Sequence, residues 1–173
     1  MKENVDAVID SCEIYDSTIA LRLRGFSQGM AMWPVVMNCV IHGNDLAFRL
    51  EDRLQKFRLL HCTMYNNKRQ TAWAPGGGRP WRGNWDNSQW ALLNNLWIEP
   101  ASVPEIATEE EFGAAGNAVV ARLDVDAQLV PLVPQKGVKL PPVVDTWYEP
   151  TGLVLRDRRG VRRKVPGHVG AFE

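Results

Sequence analysis

The sequence predicts an α+β fold: a single mixed domain in which a central amphipathic helix packs on a β-sheet, followed by a Pro-rich extended C-terminal arm and a hairpin. Three observations carry that expectation. Leu46, Leu50, Leu54, Phe57 and Leu60 recur at spacings of four and three, the period of one helix face. Ile19, Leu21 and Leu23 alternate with Ala20, Arg22 and Arg24, the period of a half-buried strand. Eight of the eleven prolines lie at position 100 or later, so the second half is expected to consist of extended pieces.

In chain order, residues 5–24 read as strands and Gly25 to Gly29 as a turn. Met30 to Ile41 is apolar at nearly every position, so periodicity does not separate strand from helix. Its β-branched residues Val35, Val36, Val40 and Ile41 favour strand. Asn44 to Leu60 is the expected central helix: Gly43 with Asn44 or Asp45 marks its start, and Asp52 can pair with Lys56. Phe48 and Leu59 fall on the opposite side of that helix and become candidates for a second contact surface. His61 to Tyr65 reads as an exit strand.

The stretch from Lys68 to Trp97 holds five of the seven tryptophans. Asp86 and Gln89 form a helix-start pattern, with Trp85 placed to pack on Trp90. Trp90, Leu93 and Trp97 then follow at helical spacing as a core face. Upstream, Thr71 to Gly83 contains Gly76, Gly77 and Gly78 between Pro75 and Pro80, which excludes a regular element and makes it a loop. Trp73, Arg79, Trp81 and Arg82 are therefore candidate contacts, suited to stacking on bases or sugar rings or to anchoring a protein interface. No Gly-Lys-Ser/Thr follows, so this is not a Walker-type phosphate loop.

Beyond Glu99, Thr108 to Phe112 reads as the acidic first turn of a short helix and Ala118 to Val125 as a strand. Leu129 to Pro134 and Val138 to Val144 are apolar but Pro-broken, which suits an arm lying in a neighbour's groove. A hairpin is expected from Gly152 to Arg156 and Val161 to Val165, turning near Asp157 to Gly160. The chain thus divides into an α+β core at 1–98, an acidic segment at 99–130, and an arm with a basic hairpin at 131–173, one domain overall. No internal repeat is apparent.

Charge supports an assembly role over a polyanion-coating one. Lys and Arg balance Asp and Glu at 20 each, but residues 1–98 carry 11 against 9, residues 99–130 carry 1 against 7, and residues 131–173 carry 8 against 4. Opposite signs in neighbouring segments suit pairing within the chain or between copies, the latter head to tail. Arg156, Arg158, Arg159, Arg162, Arg163 and Lys164 form a basic patch able to sit on phosphates. Three cysteines, Cys12, Cys39 and Cys62, are too few for a disulfide framework, and synthesis in the cytoplasm with no membrane insertion is expected.

Chemistry finds little footing. Cys39, His42, His61 and Cys62 supply zinc-type ligands, but a helix over 44–60 would hold the two histidines ~28 Å apart. Cys39 and Cys62 read instead as small buried residues. Asp124 and Asp126 read as an exposed pair, and none of the histidines lies in a recognised catalytic signature. No metal or other cofactor is expected. The expected role is a non-catalytic structural subunit of a larger oligomeric particle, of the virion or phage-tail kind, partnered by copies of itself and by other assembly proteins. The alternative is a single-stranded nucleic-acid-binding module using the Trp loop and the basic hairpin.

Overall fold

In the computed structural model the described residues are 7–24, 34–51, 54, 57–73, 90–100, 113–121, 139–142, 156–163 and 170–171. They wind into successive coils. Coil 1 holds β1 (Val8–Asp10), β2 (Glu13–Tyr15) and β3 (Leu21–Leu23), and coil 2 holds β4 (Val35–Met37), β5 (Val40–His42) and β6 (Phe48–Leu50). Coil 3 holds β7 (Phe57–Leu60), β8 (Thr63–Tyr65) and β9 (Thr71–Trp73). Coil 4 contributes β10 (Trp90–Leu93) and β11 (Leu96–Ile98), and coil 5 contributes β12 (Ala114–Ala115) and β13 (Ala118–Val120). Each strand lies on its counterpart in the next coil, giving three parallel sheets: β1-β4-β7-β10-β12, β2-β5-β8-β11-β13 and β3-β6-β9. The architecture is a parallel β-solenoid.

This corrects the α+β expectation, because the described residues contain strands and no helix. The expected central helix instead contains the strands β6 and β7. Leu46, Leu50, Leu54, Phe57 and Leu60 are divided between two different coils, so their helical spacing does not report a helix face. The operative period is two: Phe48 and Leu50 point inward with Arg49 outward, and Phe57 and Leu59 point inward with Arg58 between them. Trp90, Leu93 and Trp97 likewise span β10 and β11, with Asn94 at φ 58° turning the chain between them. Strands buried on both faces lose the polar alternation that marks a half-exposed sheet. No helix in the described residues is long and apolar enough to cross a membrane.

The repeat, too, was hidden from the sequence, because its coils differ in length. Corners make it regular. Between the first and second sheets, Ser11, Asn38, His61, Asn94 and Gly116 all have φ between 50° and 63°. Between β2 and the next turn, and at its equivalents, Asp16, Gly43, Asn66 and Glu99 have φ between 44° and 64°. A left-handed residue costs a non-glycine side chain about 1 kcal/mol, so something must hold these corners.

Asparagine ladders do so. Asn44 Oδ1 accepts the Ser17 N–H at 3.1 Å, and Asn67 Oδ1 accepts the Asn44 N–H at 3.1 Å and its Nδ2 at 2.9 Å. At the other corner Asn95 Oδ1 accepts the Cys62 N–H at 2.9 Å, and Asn117 Oδ1 accepts the Asn95 N–H at 2.9 Å. The Nδ2 groups of Asn67, Asn95 and Asn117 donate to the carbonyls of Ile41, Leu59 and Leu92 in the preceding coil. Each asparagine thus satisfies backbone groups that the turn would leave buried and unpaired.

Inside the coils lie Ile9, Val36, Leu59 and Leu92 from the first sheet, Ile14, Ile41, Met64 and Trp97 from the second, and Leu23, Phe48 and Leu50 from the third. Aromatic edges lock the layers: Phe57 meets Trp90 at 5.5 Å, and Phe48 meets Trp97 at 6.4 Å. Cys39 and Cys62 stack at the first corner as small buried groups, and all three cysteines are free.

The C-terminal part runs back along the first corner as a strap. Arg158 reaches the Ser11 carbonyl and Glu13 on coil 1, Arg163 reaches Asn38 on coil 2, the Ala171 N–H donates to Thr63 Oγ1 on coil 3, and the Gly170 N–H donates to the Asn94 carbonyl on coil 4. Gly170, at φ 93°, has no room for a side chain: a Cβ there would lie 2.7 Å from Thr63 Oγ1. The turn at Asp157 to Gly160 expected from the sequence is present, with an antiparallel bridge between Arg156 and Arg162.

Candidate functional site

Coil geometry sorts the surface into a constant part and a variable part. Val8 to Leu21, Val35 to Phe48 and Arg58 to Thr71 each span the same 13 positions, from the first sheet round to the third. From the third sheet back to the first, the chain takes 12 positions between Leu23 and Val35, 8 between Leu50 and Arg58, and 18 between Trp73 and Ala91. All the length variation of these coils therefore falls on one edge, the seam between the third and first sheets. In repeat folds, insertions collected on one face mark the surface that varies with function.

The described side of the seam carries an ordered ion cluster. Glu51, directly after β6, is buried; its carboxylate accepts from Arg22 Nε at 2.6 Å and Arg22 Nη2 at 3.0 Å, and Arg49 Nε lies 3.0 Å from its Oε1 as an ion pair. Arg22 belongs to coil 1 and Arg49 to coil 2, in register on the outer face of the third sheet. The Arg22 side chain keeps 43 % of its surface exposed and that of Arg49 28 %. A buried carboxylate thus fixes two guanidinium planes that still face outward. On coil 3, Ala72 continues the row of Arg22 and Arg49, while Trp73, in the inward row with Leu23 and Leu50, is partly buried and packs against the core.

The sequence-selected residues distribute as follows. Trp73 lies at the seam, and the segment carrying Arg79, Trp81 and Arg82 begins and ends there, although these three fall outside the described residues. Phe48 and Leu59 are fully buried in the solenoid interior, so the second helix surface assigned to them does not exist. In the hairpin, Arg156 donates to the Gly160 carbonyl, Arg158 to Glu13, Arg159 to Asp157, and Arg163 to Asn38 and Gly170. Arg162 is exposed. Lys164, the Asp86–Gln89 helix start, the Thr108–Phe112 turn, the Asp124 and Asp126 pair, the Leu129–Pro134 arm, the flanks of the hairpin and His168 lie outside the described residues.

A second cluster occupies the outer face of the second sheet. Tyr15, His42 and Tyr65 stack as a ladder, with ring centroids 5.3 and 4.6 Å apart and planes within 14° of parallel. His42 Nε2 lies 2.9 Å from Glu13 Oε1, and Arg158 Nη2 lies 3.3 Å from Glu13 Oε2. The His42 hydrogen bond, assisted by Arg158, holds the Glu13 carboxyl below its ordinary 4.5. The rings occupy one another's faces, so this ladder chiefly joins three coils.

His61, at the first corner, is buried, with Nε2 3.3 Å from Asn94 Nδ2. Burial, with the Arg163 guanidinium adding to it, lowers its pKa to about 3, so the ring is neutral at pH 7. The four zinc-type residues are dispersed: His42 lies on the outer face, His61 under the strap, and the two cysteines at the core edge. Among the described residues, no group of three or more His, Cys, Asp or Glu is placed to hold a metal ion.

Glu51 and the asparagine ladders are not marked in the sequence: Arg22 and the ladder partners lie one coil away, at separations of 22 to 36 residues that follow no fixed period. Comparison with protein-family models, with curated proteins and with solved structures finds no match for this chain.

Proposed function

We propose that this chain is a non-catalytic structural subunit of a larger protein assembly, and that it meets its neighbours along the seam between the third and first sheets. The observation that carries the proposal is the confinement of coil-length variation to that one edge. A rigid stack with one variable edge separates holding from contacting, as repeat proteins do. Trp73, Trp81, Arg79 and Arg82 supply the residue types enriched at protein interfaces, and Arg22 and Arg49 add guanidinium groups already oriented by Glu51.

Single-stranded nucleic-acid binding has weaker support. Its phosphate-binding half required free cations on the hairpin, and Arg158, Arg159 and Arg163 make their contacts within the chain.

Light scattering on the full chain at moderate salt, with absorbance recorded at 260 and 280 nm, tests the proposal. A protein-only multimer that loses mass in Trp81→Ala and Arg82→Ala, with an unchanged β-type circular dichroism spectrum, is expected. A monomer at every concentration overturns it, and excess 260 nm absorbance removed by nuclease would favour the nucleic-acid role.

A further inference from the structure

The two ends of the solenoid are complementary. Among the described residues, β1, β2 and β3 are each the last strand of their sheets at one end, and β12 and β13 are the last strands of the first two sheets at the other. All run parallel in register, so the pattern that coil 5 lays on coil 4 is the pattern that coil 1 could receive from another coil 5. Such edges template strand addition unless they are covered.

Side chains at both ends are matched to that use. The inward row of the second sheet reads Ile14, Ile41, Met64, Trp97 and Val119, one per coil. Its interior members are fully buried, whereas Val119 is 41 % exposed and Ile14 partly so. The outer row reads Tyr15, His42, Tyr65, Ile98 and Val120, and Tyr15, 55 % exposed, ends the ring ladder. Placing Val120 on Tyr15 would repeat the aromatic-on-aliphatic neighbour pair that Tyr65 and Ile98 already make. Charge agrees: Asp16 is exposed on coil 1, and exposed Lys139 adjoins Leu140, which packs against the cluster of Leu96, Ile98, Ala118 and Val120 in coils 4 and 5.

We infer that copies of this chain stack head to tail, coil 5 of one on coil 1 of the next, continuing the first and second sheets across the junction. The contact deepens the assembly role proposed above and rests on it. It is heterologous, so it extends into open stacks unless the rotation between copies closes a ring.

The row Cys12, Cys39, Cys62, Asn95, Asn117 provides the test, since stacking places Asn117 of one copy over Cys12 of the next. Successive coils lie about 4.8 Å apart, within the Cα separation a disulfide spans. Within one chain the same two positions are four coil steps apart, about 19 Å, and cannot bond. In full-length Asn117→Cys, oxidised glutathione takes two electrons and two protons from the facing thiols. A ladder of linked dimers and higher multimers is expected on non-reducing gels, abolished by adding Cys12→Ser. Should Asn117→Cys not fold, Tyr15→Cys with Val120→Cys reads the same junction.

Light scattering on Val119→Arg is expected to give at most half the mass of the unmodified multimer. If neither cysteine pair links and Val119→Arg leaves the mass unchanged, while Trp81→Ala or Arg82→Ala lowers it, head-to-tail stacking is overturned and the seam stands. A monomeric unmodified chain overturns both.

Discussion

Arg163 Nη2 lies 2.9 Å from Asn38 Oδ1 and 3.0 Å from the Gly170 carbonyl, so one guanidinium joins the second coil to two parts of the strap. Replacing it removes charge-assisted hydrogen bonds from a largely covered corner. Arg163→Ala is expected to cost about 1 to 3 kcal/mol. Hydrogen exchange checks the mechanism: the Gly170 and Ala171 amides, which donate to Asn94 and Thr63, should lose protection before the interior strands do. Unchanged exchange there would remove the strap from the stability of the fold.

His61 makes stability depend on pH. Its folded pKa of about 3 lies below the ordinary 6.5, so the unfolded chain binds the extra proton first as pH falls. Its contribution is complete above pH 6.5 and is lost progressively from there toward pH 3. The loss between pH 7 and pH 5 is expected to be about 2 kcal/mol by urea unfolding. Glu13, also depressed, loses its contribution only as pH falls through the range below 4.5, outside that window. His61→Asn, which suits φ 50°, should flatten the dependence between pH 7 and pH 5.

At the seam, Glu51→Ala leaves Arg22 and Arg49 without the carboxylate that orients them. The cost is expected to be about 1 to 2 kcal/mol, below that of a fully buried pair because Arg22 remains well solvated. A double-mutant cycle with Arg22→Ala should return a small favourable coupling. Additive effects would show that the contact orients the guanidinium groups without stabilising the coils.

Asn95→Ala removes the acceptor for the Cys62 N–H and the donor to the Leu59 carbonyl, both inside the stack. About 2 to 3 kcal/mol of destabilisation is expected from the stranded backbone groups. Cys62→Ala, which keeps its backbone N–H and removes only a small buried thiol, should cost less by the same denaturation measurement.

Several local features could be read directly. The Leu21 and Leu23 alternation, the strand character of residues 35–41 and 63–65, and the turn at Asp157 to Gly160 all follow from side-chain pattern and turn residues. Three-residue strands, however, are too short for a period of two to stand out. Residues such as Asn38, His61 and Asn94 reset the phase by turning the chain through a left-handed conformation. That reset at Asn94 is what let Trp90 to Trp97 imitate a helix, whereas Leu46 to Leu60 draw on strands of two different coils.

The sequence by itself determined the apolar content of each strand, the free cysteines and the presence of a Gly- and Pro-rich break after Trp73. It did not determine which coil lies on which. That choice rests on contacts between residues 22 to 36 positions apart, such as Asn67 with Asn44 and Asn95 with Leu59, whose partners carry no local signature. Only the stacked coils bring Arg22 and Arg49 to one carboxylate, set the Arg163 charge near His61 and align the third-sheet and first-sheet strands that bound the segments of unequal length. The physical reason is that a solenoid's strands gain their hydrogen bonds from neighbouring coils, so its order is fixed by tertiary pairing and not by local propensity.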